Sequence, residues 1–503
     1  MTRVSRHAPW LVPVLLMAAV SAVRLGNPVL SWDEIATVDV ASRDVGQIWR
    51  LSHTIDASVA PYYLFMHVWT TLFGVSEWAL RAPSWLAMAV TAGLVGGLGR
   101  RLLTPATGLL AGLLFVLIPS SSRYAQEARV YAIATMLSVL AVLLLYRAIA
   151  RPTAGRFVGY AVCVALLGAA HLIALATLAA HVVIVVSHVL RTGDRRTAGA
   201  WVAATSAGGL TVAPLAVAGA DQVDDQLGWI YGPLTVGDLV TAPGAITGSV
   251  GVAWLLVGLA TLATWRTGGR VAELTGLAVL PVSLVAAGAA LGQPIWVPRY
   301  LLIATPPLAL LAALGVRQVA IGVRERSVPG TAFPGTRRVV GTGRWAGVVR
   351  VAVVLVAVGW AALPDQRALR AADSHNGANY RQAAQVIAEH QEPDDVLLFE
   401  PRTRHTRPGV YYYLRHEPDQ PADPLLDRSA AEVGDLRPVE ATDPAGRLRD
   451  QGRVWLFVYG KPADPAARRP DLRPYLTEAF RPVRTWRMSS STLVLYQRIH
   501  ASA

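Results

Sequence analysis

Apolar and polar residues alternate along this chain in long blocks. Apolar runs, broken by short arginine-rich stretches, recur from the N-terminus to about residue 363. A helix needs roughly 20 apolar residues to cross about 30 Å of hydrocarbon. Runs at 9–26, 79–99, 104–120, 130–148, 156–170, 172–190, 199–219, 249–266, 272–292, 300–322 and 346–363 meet or approach that length, so the pattern predicts about eleven membrane-crossing helices. The stretch 61–74, PYYLFMHVWTTLFG, is apolar but too short to span comfortably. It is expected to lie along the outer surface, with Tyr62, Tyr63, His67 and Trp69 at the interface. Beyond residue 364 the chain becomes charged and proline-rich. There a helix-like NYRQAAQVIAEH is followed by strand-like DDVLLFE, RVWLFVYG and TLVLYQ, the pattern of a small α/β domain. The expected fold is mainly α, a polytopic bundle over residues 1–363 that includes an outer loop at 27–78, followed by an extracytoplasmic α/β domain over 364–503.

Composition sharpens the membrane reading. Hydrophobic residues make up 53% of the chain and charged residues 16%, where soluble proteins carry about a quarter. The mean hydropathy is +0.40. The formal net charge of +13 would suggest nucleic acid in a soluble protein. Here the basic residues, all arginine except Lys461, sit between the apolar runs, and no nucleic-acid partner is expected. With a cytoplasmic N-terminus, one side collects Arg100 and Arg101; Arg147, Arg151 and Arg156; Arg191, Arg195 and Arg196; Arg266 and Arg270; and Arg317, Arg324, Arg326, Arg337, Arg338 and Arg344. Counting 61–74 as a span would break this one-sidedness. The start, Arg3 and Arg6 before an apolar stretch, lacks a clear cleavage site and reads as an uncleaved first span. The expected location is the plasma membrane, multi-pass, with the tail outside. Cys163 is the only cysteine, so no disulfide within the chain and no cysteine metal site can form.

The candidate chemistry lies in the outer loops. Ser31-Trp32-Asp33-Glu34 follows the first span directly, with no basic residue between Arg24 and Arg43. Adjacent side chains diverge, so one carboxylate is expected to face a cavity while the other orients the loop. Asp33 is the candidate general base; the alternative is that the Asp or the Glu caps a helix starting near Ile35. Gln126-Glu127-Ala128-Arg129 stands at the entrance to another span, where charged groups face protein or a watery cavity. Arg299, in Trp296-Val297-Pro298-Arg299-Tyr300, sits at an outer span end, either binding a lipid phosphate through its planar fork or snorkelling to the headgroups. His53, Asp56, Tyr62, Tyr63, His171 and Tyr300 complete the candidate cavity. The loop with Asp221, Asp224, Asp225, Gln226 and Trp229 reads as solvated. There is no P-loop, no dinucleotide fingerprint after a strand and no acidic DxD pair on a cytoplasmic loop, so nothing supports a nucleotide-sugar site. A sugar-transfer enzyme with its acidic groups outside needs a lipid-linked donor. No metal-ligating motif is found and no cofactor is assigned, a divalent cation being left open.

The order of these features resembles the membrane glycosyltransferases of fold class C. The closest likeness is to the family of protein O-mannosyltransferases and bacterial aminoarabinose transferases. Asp33-Glu34 matches the acidic motif that opens the family's first outer loop, and 35–52 and 61–74 match its surface-lying helices. PYYLFMHVWTTLFGVSEWALRAPS is similar to its aromatic segment, SRYAQEARVYA to a second outer motif of actinobacterial members, and PRYLL to a further element. The resemblance implies an inverting transfer from a polyprenyl-phosphate sugar to a glycan, lipid or protein acceptor among the membrane lipids. Asp33 would be the base, and Arg299 with Arg129 would meet the donor phosphate. Mannose is preferred to arabinose. The competing readings are a transporter or flippase of lipid-linked sugars, and an inactive scaffold of envelope glycan synthesis. Against transport, the charged groups sit at span ends and no repeated halves are visible.

Overall fold

The computed structural model describes residues 3–228, 230, 232–264, 268–321 and 342–499. Trp229, Arg266, Arg324, Arg326, Arg337 and Arg338 lie outside the described residues, as do the side chains of Arg3, Arg6 and Arg344. The chain forms two compact units. One holds residues up to Val23 with Arg81–Gln126 and Val130–Ala368. The other holds Arg24–Leu80, Glu127–Arg129 and the chain from Leu369. Residues 27–78, grouped by the sequence pattern with the bundle, thus pack with the C-terminal residues.

The first unit is helical: α1 (Arg3–Ala22), then α5 (Glu77–Leu102) to α17 (Thr342–Ala368), with α2, α3 and α4 belonging to the second unit. Among the described residues, seven helical stretches are long and apolar enough to cross a membrane, two further pairs qualify as bent spans, and His7–Ala22 and Ala154–Ala170 are shorter apolar helices. Each predicted run falls on one of these. The run 104–120 breaks at Ile118 into α6 (Pro105–Leu117) and α7 (Pro119–Ala125), bent by 67°, because Pro119 cannot continue the helical hydrogen bonding. The remaining spans are α8 (Tyr131–Ala150), α9 (Ala154–Ala170), α10 (Leu178–Thr192) and α11 (Arg195–Asp221), the last followed by the short α12 (Val223–Leu227). Residues read as a solvated loop contain α13 (Val236–Thr247), which turns through 97° into α14 (Val250–Thr264). Then come α15 (Gly269–Ala290), a 3-10 turn over Pro298–Ala304, and α16 (Thr305–Ile321).

Close helix crossings are set by small residues, which let backbones approach where lipid supplies no hydrophobic drive. A Cβ on Gly315 of α16 would stand 1.8 Å from the Leu259 carbonyl oxygen of α14, and one on Gly96 of α5 equally close to the Pro9 oxygen of α1. Peripheral helices expose apolar side chains, among them Leu210 of α11 and Trp345, Val356 and Trp360 of α17. In water that would be a liability; against lipid it is the expected surface.

In the second unit the first loop folds as α2 (Trp32–Ala41), α3 (Val45–Ser52) and α4 (Ala60–Phe73). The expected helix over 35–52 is therefore two helices. They part at Ser42–Asp44, where Asp44 caps α3 by accepting from the Gln47 N–H. Helix α4 has 14 residues and is not among the candidate spans. Its buried face carries Tyr62, Tyr63, Met66 and Thr70, while Leu64, Phe65, Val68, Leu72 and Phe73 are exposed.

The C-terminal residues build a four-stranded sheet from β1 (Val396–Phe399), β4 (Arg453–Tyr459), β5 (Phe480–Arg487) and β6 (Ser491–Arg498), in the order β1-β4-β6-β5. β1 runs parallel to β4, and the other neighbours are antiparallel. A separate pair joins β2 (Leu426–Arg428) to β3 (Val439–Glu440). β4 is buried along Val454–Val458 because both faces of the sheet are covered. Val454, Leu456 and Val458 meet Leu472, Leu476 and Phe480 on one side. On the other, Phe457 meets Tyr380 of α18 (Tyr380–His390), and Phe399 meets Tyr411 of α19 (Thr406–Leu414).

Candidate active site

The acidic motif is organised by a serine. Ser31 is the N-cap of α2: its hydroxyl accepts from the Glu34 N–H, and the Glu34 carboxylate accepts from the Ser31 N–H at 2.9 Å, a capping box. Helix α2 starts at Trp32 rather than near Ile35, and its cap is Ser31 with Glu34 completing the box, so of the two carboxylates offered as a cap Glu34 takes part and Asp33 does not. The S-x-x-E spacing ahead of an apolar run was the legible signal for this. Glu34 is fully buried. Its second oxygen accepts from the Ala128 N–H at 2.9 Å, and His375 Nδ1 lies 3.7 Å from the first. Asp33, one residue earlier, is half-buried. The two neighbouring carboxylates thus have different surroundings, one enclosed by backbone donors and one partly open.

The segment 127–129 lies against this helix start. Glu127 is buried, with its carboxylate 3.5 Å from the Ser31 hydroxyl. Arg129 donates to the Thr37 hydroxyl at 3.4 Å and reaches the Tyr63 hydroxyl. Tyr63, fully buried, donates to Asp56 at 2.6 Å. Burial first, and then the Asp56 carboxylate, raise the Tyr63 pKa well above the usual phenol value, while Arg129 pulls the other way. Asp56 is held in the left-handed region at φ 59°, a conformation tolerated by Asp better than by most residues. Within the second unit the structure therefore brings together Glu34, Glu127, Arg129, Asp56 and Tyr63, with Thr37 as a member that sequence reasoning missed; Asp33 joins them through its backbone carbonyl, which accepts from the Thr37 hydroxyl at 2.9 Å. Tyr62 is buried on α4 with its ring 6.2 Å from Phe65. His53 stands apart: it is exposed at the end of α3, its Nδ1 at 2.8 Å from the Trp49 carbonyl.

A second cluster lies in the bundle. The Arg299 Nε donates to the Tyr131 hydroxyl at 3.0 Å, and the guanidinium stands 5.7 Å from the centres of both the Tyr131 and Tyr300 rings. His171 packs 4.7 Å from Tyr300 and 5.8 Å from Tyr131. Three candidates from distant parts of the sequence, His171, Arg299 and Tyr300, thus meet around Tyr131, which had been read only as part of a motif. A guanidinium set against aromatic faces is held in one orientation, and its planar shape suits an oxyanion. The turn carrying Arg299 also carries Leu301, which packs with Ala242, Ile246 and Val285 in one apolar cluster that Trp296 joins. Beside it is an apolar cavity of about 360 Å³, lined by residues of α13 to α16 such as Leu239, Ile246, Val282, Trp296 and Leu308. Among the described residues, no group of three His, Cys, Asp or Glu side chains is placed to hold a metal ion.

A family model described as dolichyl-phosphate-mannose-protein mannosyltransferase matches residues 59–217, from the start of α4 into α11. No curated protein matches the chain in sequence. Among solved structures, ArnT from Cupriavidus metallidurans bound to undecaprenyl phosphate aligns with a TM-score of 0.58 at 16% identity, covering 96% of this chain and 97% of that one. The oligosaccharyltransferase of Archaeoglobus fulgidus in its apo form aligns with a TM-score of 0.51 at 10% identity, covering 88% of this chain and 69% of that one. The fold is that of the class-C membrane glycosyltransferases, and the chain resembles the protein O-mannosyltransferase and aminoarabinose transferase family, in sequence over residues 59–217 and in fold over nearly its whole length.

Proposed function

We propose that this protein is a membrane glycosyltransferase. It transfers a sugar, mannose in preference to arabinose, from a polyprenyl-phosphate donor to an envelope acceptor on the extracytoplasmic side. The observation that carries this reading is the Arg299–Tyr131–Tyr300–His171 cluster beside an apolar cavity, the pairing that a lipid phosphate and its prenyl tail call for. The family model's description and the undecaprenyl phosphate bound to ArnT point the same way.

The reaction is a single displacement. The acceptor hydroxyl oxygen attacks the anomeric carbon as the bond from that carbon to the phosphate oxygen breaks, inverting the configuration. Asp33 takes the acceptor proton. Arg299 meets the charge that gathers on the departing lipid phosphate, with Arg129 as the second cationic candidate. Glu34 holds the loop that carries Asp33.

The test is incubation of the purified protein, in liposomes, with radiolabelled polyprenyl-phosphate mannose and an envelope-lipid extract. Labelled acceptor together with released polyprenyl phosphate is the expected result. Movement of the labelled lipid between leaflets without cleavage would establish transport instead.

A further inference from the structure

Helices α9 and α11 run side by side in the same direction and meet closely along only part of their length. A Cβ on Gly208 of α11 would stand 2.5 Å from the Ala161 carbonyl oxygen, and one on Gly168 of α9 would stand 2.8 Å from the Val212 side chain. Nearer the helix starts, the Trp201 indole N–H donates to the Tyr160 hydroxyl at 3.1 Å and ties the pair again. Neither of those two residues lines the groove of about 760 Å³ that opens between the helices, from the Gly208 crossing back to their starts. Phe157, Val158 and Ala161 line it from α9, and Ala200, Ala204 and Ala207 from α11. Val158 at its rim is exposed, as are Val162, Val202 and Leu210 on the same two helices. An apolar face of this kind meets lipid rather than water.

The mouth of the groove is polar and positive. Asp194, Arg196 and Thr197 stand there with Pro152 and Thr153. Asp194 is spent as the N-cap of α11: it accepts from the Arg196 and Thr197 N–H groups at 3.1 and 3.2 Å and from the Thr197 hydroxyl at 2.6 Å. Arg195 and Arg196 open α11, while Arg151 and Arg156 flank the start of α9. Arg156 donates to the carbonyl oxygens of Arg147 and Arg151. Among the described residues, none of these four guanidiniums pairs with a carboxylate. Length and charge together select the occupant. From Arg196 to Ala207 the helix rises about 17 Å at 1.5 Å per residue, close to one leaflet's share of a hydrocarbon core about 30 Å thick. The Gly208 crossing closes the groove at that depth. A partner helix crossing the bilayer would need about twice the length, whereas an acyl chain of one leaflet needs no more. Unpaired arginines at the mouth call for an anionic head.

We propose that this groove binds an anionic phospholipid: one acyl chain lies between α9 and α11, and the phosphodiester meets Arg196, with Arg195, Arg151 and Arg156 adding positive charge around it. His171 of the Arg299 cluster caps the other end of α9. The lipid therefore sits at the opposite end of that helix from the cluster, and the inference does not depend on the proposed chemistry.

The test is native mass spectrometry of the full chain in detergent, titrated with phosphatidylglycerol or with phosphatidylcholine of the same acyl chains. One retained phosphatidylglycerol is expected, held at least about fivefold more tightly than phosphatidylcholine, the weight of one arginine at an anionic surface. Arg196→Gln should weaken phosphatidylglycerol about fivefold and leave phosphatidylcholine unchanged. Ala200→Phe fills the groove and should lose the retained adduct of either lipid. Equal retention of the two lipids by the wild type overturns the proposal, as does an adduct that survives Ala200→Phe. A dimer mass that Ala200→Phe abolishes would put a second copy in the groove, and displacement of phosphatidylglycerol by an equal concentration of polyprenyl phosphate would give the groove to the prenyl lipid; either result overturns it. If the thermal midpoint shows that Ala200→Phe does not fold, an unchanged lipid preference in the double variant Arg195→Gln with Arg196→Gln overturns it.

Discussion

Replacing each of the two adjacent carboxylates by its amide should separate catalysis from architecture. Both Glu34 oxygens are engaged by backbone donors, the Ser31 N–H and the Ala128 N–H, each at 2.9 Å, and the side chain is fully buried. An amide has one acceptor oxygen. Whichever way Gln is turned, one of the two N–H groups then faces an NH₂. Losing a charge-assisted hydrogen bond and orphaning a buried donor costs about 2–4 kcal/mol together. If the second unit melts as one body, that is roughly 5–15 °C in its unfolding midpoint. Asp33 has no share in the capping box, so Asp33→Asn should leave the midpoint within a degree or two, by the small effect of a half-buried substitution of this kind. As an amide it cannot accept the acceptor proton, and turnover should fall on the order of 10²-fold or more. The assay pairs transfer of radiolabelled mannose from polyprenyl phosphate with thermal unfolding in the same detergent. A stable, nearly active Asp33→Asn protein would remove Asp33 from catalysis, and a Glu34→Gln protein of wild-type stability would refute the clamp.

Other outcomes are expected from the rest of the chain. Arg299→Lys keeps the charge but loses the fork and the Tyr131 bond, so donor affinity should fall in the order wild type, Lys, Ala; equal affinity in isothermal titration with polyprenyl phosphate would leave Arg299 only a snorkelling role. After Cys163→Ser, single cysteines placed at Ser58 and at Ala466 should react with a membrane-impermeant maleimide in intact cells; labelling only after permeabilisation would invert the proposed topology and the placement of 61–74 with it. Gly315→Leu should force α16 away from the Leu259 carbonyl and lower the yield of folded protein in size-exclusion chromatography; an unchanged yield and midpoint would show that the crossing can open without loss.

The amino-acid sequence by itself determined the elements that local composition controls. Every apolar run long enough for a span became a helix or a bent pair, because in lipid a backbone must satisfy its own hydrogen bonds and the helix does so within the segment. The strands of the tail were legible where both neighbours bury them, as at Val454–Val458. β5 was not: it pairs only with β6 at the sheet edge, and most of its side chains are exposed, so no apolar run marks it. At the site, the motifs around Asp33, Arg129 and Arg299 were visible as charges at span ends. What each charge touches was decided by tertiary structure alone. Glu34 became an anchor because residue 128, far along the chain, delivers a backbone N–H to it. Tyr131 came to hold Arg299 because α8 packs on the turn before α16. His405 came to rest on Trp32 from a domain more than three hundred residues later. Hydrogen-bond reach is a few ångströms, and only the folded chain sets which residues fall within it.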